Sequence, residues 1–83
     1  MNLLYFAWVK QKIGKGEEQF DPPAGVKTVH DLAESLRARG GGYAEAFADT
    51  SRLRAAVNQE HVGFDASVGS NDEVAFFPPV TGG

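Results

Sequence analysis

Apolar positions along the chain follow two periods. From Asn2 to Lys10, Leu3, Tyr5, Ala7 and Val9 alternate with Leu4, Phe6 and Trp8, and a period of two predicts a strand over 2–10. Both faces of that strand are apolar, so one packs on a core and the other is covered or binds something. Gln11 to Gly16 reads as a turn. Glu17 to Asp21 reads as a short second strand that pairs back on the first as a hairpin and is ended by Pro22-Pro23. The period then becomes helical: Val29, Leu32, Ala33 and Leu36 fall on one face. Thr28 is a good N-cap with Asp31 three residues on, and Gly40-Gly41-Gly42 closes the segment, which predicts a helix over 29–39. Tyr43 to Asp49 reads as a short helix or an irregular loop. A third strand follows over 53–58, a turn at Asn58-Gln59-Glu60, a short strand over 61–64, a turn over 69–72 and a last strand over 73–77.

This order, β-β-α-β-(β)-β with no internal repeat or linker, predicts an α+β domain in which a mixed sheet packs on one main helix. The first and last strands then lie parallel in the centre. By alternation, Leu3, Tyr5, Ala7, Val9, Val74 and Phe76 point toward the helix. Leu4, Phe6, Trp8, Ala75 and Phe77 point to the opposite face. That is more aromatic surface than a lone monomer normally exposes, and aromatic residues are enriched where interfaces concentrate their binding energy. Leu4, Phe6, Trp8, Ala75 and Phe77 are therefore the predicted partner interface.

Composition narrows the choice. Eighty-three residues with 42% apolar content support one core, too small to house a large internal active site as well. Net charge is −3 with both signs interspersed, so nucleic acid is not an expected partner. No apolar run approaches the length of a membrane span and no secretory leader is visible, so a cytoplasmic location is expected. The absence of cysteine removes disulfides, thiolate metal sites and cysteine nucleophiles together. Adjacent His30 and Asp31 point different ways on a helix, His61 reads as a strand or turn residue, and no spacing suggests a metal site. Gly14-Lys15-Gly16 lacks the context of a phosphate loop.

The ending is the most specific feature. After the apolar run Val74-Ala75-Phe76-Phe77 comes Pro78-Pro79-Val80-Thr81-Gly82-Gly83. Two prolines hold the chain extended, and two glycines pass where side chains cannot. The six residues from Pro78 to Gly83 reach roughly 20 Å when extended, far enough to enter a pocket of another protein. Residues 1–77 are thus read as the domain and 78–83 as an extended tail, with function placed on the α-carboxylate of Gly83.

Ala56-Val57-Asn58-Gln59, the opening Leu4-Tyr5-Phe6-Ala7 and the stretch from Asp72 to Gly83 together resemble the small, sulfur-carrying subunit of molybdopterin synthase, within the ubiquitin-like β-grasp fold. The resemblance implies that a ubiquitin-activating-type adenylating enzyme uses ATP to link AMP transiently to Gly83. Sulfur then replaces AMP, and the thiocarboxylate donates sulfur to a pterin precursor during molybdenum cofactor biosynthesis. It also implies that the active pocket belongs to the large subunit, in a two-plus-two assembly, and that this chain binds no cofactor or metal itself. Gly82 would allow passage through a narrow channel, Thr81 and Val80 would make extended backbone contacts, and Pro79 and Pro78 would keep the stalk straight. Sulfur delivery to thiamine synthesis or tRNA thiolation, and a ubiquitin-like protein modifier, are the alternative readings.

Overall fold

A computed structural model describes residues 1–79. Five strands form one mixed sheet: β1 (Asn2–Tyr5), β2 (Glu17–Gln19), β3 (Arg54–Val57), β4 (Glu60–Val62) and β5 (Glu73–Phe77). Their order across the sheet is β2-β1-β5-β3-β4. The central pair β1 and β5 is parallel, with Leu4 opposite Ala75 and Tyr5 opposite Phe76; the remaining pairs are antiparallel. Three helices, α1 (Ala7–Ile13), α2 (Val29–Arg37) and α3 (Gly41–Ala46), and a 3-10 turn at Thr50–Arg52 complete the elements among the described residues.

The helix expected near 29–39 forms for the expected reasons. Thr28 Oγ1 accepts from the Asp31 amide at 3.1 Å, and Asp31 Oδ2 accepts from the Thr28 amide at 3.1 Å, so two otherwise orphaned donors are satisfied. Val29, Leu32, Ala33 and Leu36 are its buried face. They pack with Leu3, Tyr5, Val74 and Phe76 from the sheet, and Phe47 meets Phe76 edge to face at 4.9 Å between centroids.

The first strand is shorter than alternation predicts. It ends at Tyr5, and residues 7–13 are helix α1. Ala7 sits at φ 53°, and this left-handed residue reverses the chain between strand and helix at a conformational cost. In the helix, Val9 is buried and Ile13, four residues on, packs against the core, a spacing that an apolar run of mixed parity conceals. Gly14 ends α1 at φ 92°, its amide donating to the Lys10 carbonyl at 2.8 Å. Ala7 is consequently exposed rather than inward-facing.

The glycine triplet does more than stop a helix. Gly40, at φ 79°, precedes α3, and Gly41 and Gly42 open it. A Cβ on Gly42 would lie 1.9 Å from the Lys12 carbonyl oxygen, so the backbones of α1 and α3 meet at a contact only glycine permits.

Candidate docking face and tail exit

Alternation along β5 sends Val74 and Phe76 into the core and Glu73, Ala75 and Phe77 outward. Register fixes what lies beside them. Ala75 has Leu4 on one side and Ala56 on the other, Phe77 is opposite Arg54, and Ala56 is opposite His61. Small alanines on the two strands at the middle of the sheet, flanked by larger side chains, leave a depression of about 480 Å³ lined by Leu4, Phe6, Ala56, Gln59, His61, Glu73, Ala75 and Phe77. Phe6 is 49% exposed, the one large apolar side chain so exposed among the described residues.

Four of the five expected interface residues (Leu4, Phe6, Ala75 and Phe77) are thereby brought to one surface. Trp8 is not among them. Because the strand stops at Tyr5, Trp8 lies on α1, where the Arg52 guanidinium sits 5.5 Å from its ring centroid. It lines a separate cavity of about 350 Å³ with Lys12, Glu45, Ala46, Ala48, Asp49 and Arg52. Ala56, Gln59 and His61 are members of the face that pattern reading did not select. The missing signal was hairpin register: Asn58 and Gln59, at φ 52° and 70°, form a two-residue turn of the left-handed kind, and that turn sets His61 opposite Ala56.

Since β1 and β5 are parallel, Phe77 leaves the sheet at the end where Phe6 follows β1. The Phe6 amide donates to the Phe76 carbonyl at 3.2 Å, and Pro78 and Pro79 then follow without amide donors. Both prolines are half-buried. Val80, Thr81, Gly82 and Gly83 lie outside the described residues.

A second polar cluster sits on the inner side at the β2 edge. Glu18 accepts from the Tyr5 hydroxyl at 2.7 Å, the Tyr43 hydroxyl at 2.6 Å and Arg39 Nη1 at 3.1 Å, with Lys15 Nζ 3.8 Å away. Burial pushes the Glu18 carboxyl up, but the hydrogen bonds from Tyr43, Tyr5 and Arg39 outweigh it and the net shift is downward. Burial, followed by the Glu18 carboxylate, pushes the Tyr5 hydroxyl up. No buried side-chain polar atom lacks a partner among the described residues, and the cluster ties β1, β2 and α3 together. Asp31 is engaged as the α2 cap and His30 Nε2 lies 3.8 Å from Glu34 Oε1. Among the described residues, no group of three or more His, Asp or Glu side chains could hold a metal. No helix among them is long and apolar enough to cross a membrane.

A mixed sheet with α2 across one face and β1 and β5 parallel at its centre defines a ubiquitin-like β-grasp domain. The chain belongs to the ThiS family, which matches residues 3–83. It is 41% identical over 83 residues to the molybdopterin synthase sulfur carrier subunit of Escherichia coli, covering 100% of this chain and 99% of that one. It is 36% identical to the subunit of the same name from Dictyostelium discoideum, covering 98% of this chain and 93% of that one. Among solved structures, SAMP1 from Haloferax volcanii superposes with a TM-score of 0.73 at 25% identity, over 100% of this chain and 98% of that one.

Proposed function

We propose that the chain is the sulfur-carrier subunit of molybdopterin synthase and that its working group is the Gly83 carboxylate. The observation that carries the reading is the continuity of β5. The strand that supplies Ala75 and Phe77 to an open apolar face runs directly into Pro78-Pro79, so whatever receives the tail must also meet that face. The relatives named above, similar along their whole length, favour the large synthase subunit as that partner, with the tail reaching its pocket. The same face serves the adenylating enzyme in turn.

The chemistry needs activation because a carboxylate oxygen is a poor leaving group. Attack of the Gly83 carboxylate on ATP gives an acyl-adenylate and pyrophosphate. The terminal sulfur of a persulfide donor then forms a C–S bond as the C–O bond to AMP breaks. A thiol cleaves the resulting S–S bond and leaves a thiocarboxylate, whose sulfur is nucleophilic as thiolates are. After it attacks the pterin precursor, water cleaves the acyl–sulfur bond and restores the carboxylate. No side chain of this chain takes part in bond making. The described residues supply the docking surface and the stalk.

Intact mass spectrometry tests this. Incubation with the adenylating enzyme, ATP and a persulfide donor should add about 16 Da at Gly83, sulfur for oxygen, by acyl activation. Deleting Gly83, or adding one residue after it, should abolish both the mass gain and sulfur delivery while leaving the melting temperature unchanged. A version amidated at the carboxyl end that still supports product formation at the normal rate would overturn the proposal. Conjugates on lysines of other proteins would favour the modifier reading instead.

A further inference from the structure

His61 is the only imidazole on the outer face of the sheet, since the chain has two histidines and the other, His30, lies on α2 beside Glu34. Register places His61 opposite Ala56, whose methyl group leaves the space above it open. The imidazole leans across that space onto Phe77, with ring centroids 5.1 Å apart and planes at 51°. It forms a wall of the apolar depression and touches the last strand residue before the tail. It is exposed, so in the free protein water hydrates either protonation state.

The charges that face it are few. Glu73 on β5 lines the same depression, and Glu17 on β2 lies at the far edge, opposite Leu4. Arg54 on β3 is turned to the carbonyls of Ser51 and Leu53, at 3.3 and 2.8 Å. Across β5, β1 offers Asn2 and Leu4, followed by Phe6, none of them charged. On β4 itself, Glu60 alternates away from His61. No carboxylate lies within 4 Å of the imidazole among the described residues.

We propose that His61 is a specificity-determining residue for docking: its neutral ring continues the apolar wall and admits the apolar surface of the large subunit, whereas its imidazolium places an unpaired cation in that surface and rejects it. The inference rests on the docking reading above. Covering the depression strips water from the ring, which costs a neutral imidazole little and an unpaired cation much. An imidazole is cationic in acid and neutral in base, so affinity falls as pH falls.

The test is the dissociation constant of the full chain with the large subunit of molybdopterin synthase, from about pH 5.5 to 8, for wild type, His61→Leu and His61→Lys. Groups on the partner titrate alike in all three, so ratios isolate His61. The ratio of wild type to His61→Leu should be lowest at the alkaline end of this range and climb toward the acid end by up to roughly ten-fold per pH unit. His61→Lys should bind at least about ten-fold more weakly than His61→Leu at every pH, as an unpaired buried charge demands. Melting curves should be alike, because the side chain is exposed. A ratio that stays level, or falls in acid because the partner supplies a carboxylate, overturns the inference while leaving docking intact. Wild type that gains the thiocarboxylate mass but fails to bind at pH 8 overturns docking itself, and the inference with it.

Discussion

On the inner face of the sheet, Leu3, Tyr5, Val74 and Phe76 have essentially no solvent exposure. Their chain neighbours Leu4, Ala75 and Phe77 remain half-buried, and Phe6 is 49% exposed. The two sets come from the same strands and are about equally apolar. What separates them is partnership. The inner set has α2, α3 and Phe47 packed over it, while nothing among the described residues covers the outer set. Burial of the inner set is therefore already counted in the stability of the fold. The apolar area of the outer set is held in reserve for association, where each further Å² covered contributes roughly 25 cal/mol.

The contrast is sharpest at two adjacent phenylalanines. Phe76→Ala should cost about 3–5 kcal/mol of stability, by lost transfer energy plus the cavity left against Phe47 and Phe64. For a domain whose whole stability is of order 10 kcal/mol, denaturant titration should show a large fall in the midpoint. Phe77→Ala should leave that midpoint nearly in place and weaken association with the large subunit about 10–100-fold, as truncation of an aromatic anchor does. Equal losses of stability for the two variants would erase the distinction between the faces.

The inner face also holds a polar assembly that pH can dissect. Glu18→Gln should cost about 1–2 kcal/mol near neutrality, since a carboxylate accepting from two phenols and a guanidinium is replaced by an amide. The folded-state carboxyl titrates below its ordinary value of 4.5. Its stabilisation is therefore present above that value and is lost as pH falls through the lower, folded-state one, because the unfolded chain binds the proton more readily. Chemical denaturation from about pH 7 down to 3 should show the wild-type advantage over Glu18→Gln shrinking in acid. Docking should be untouched, as Glu18 lies on the side of the sheet away from the depression.

Much of this was legible in the order of residues. The capping pair Thr28 and Asp31, the α2 stripe and the alternation in β5 each state one structure unambiguously. The region from Phe6 to Ile13 was not legible, because the unbroken apolar run from Leu3 to Val9 satisfies a period of two and a period of 3.6 at once. What decides it is tertiary. Val9 and Ile13 gain the core as a helix, and Gly42 provides the space in which α1 can lie against α3. Gly42 reads as punctuation because its reason for being glycine, the Lys12 carbonyl, is some thirty residues away in the chain. The place of His61 is hidden for a similar cause: its neighbours Ala56 and Phe77 are set by register, which depends on the backbone angles of the Asn58-Gln59 turn.

Trp8 is where the two-face comparison can be tested most finely. Had the strand continued to Lys10, Trp8 would stand beside Phe6 and its loss would disable docking. On α1 it instead packs beneath the Arg52 guanidinium, in a cavity bordered by α3 and the 3-10 turn. Trp8→Ala should therefore cost about 1 kcal/mol of stability, through lost packing and the cation–π contact. It should change the dissociation constant for the large subunit by no more than about two-fold, the range of substitutions remote from a contact. Salt should modulate neither number appreciably, because ring contact rather than ion pairing is what is lost. A ten-fold loss of affinity with normal stability would instead place the helix α1 surface inside the interface, and the docking region would then have to extend around the end of the sheet where the tail departs.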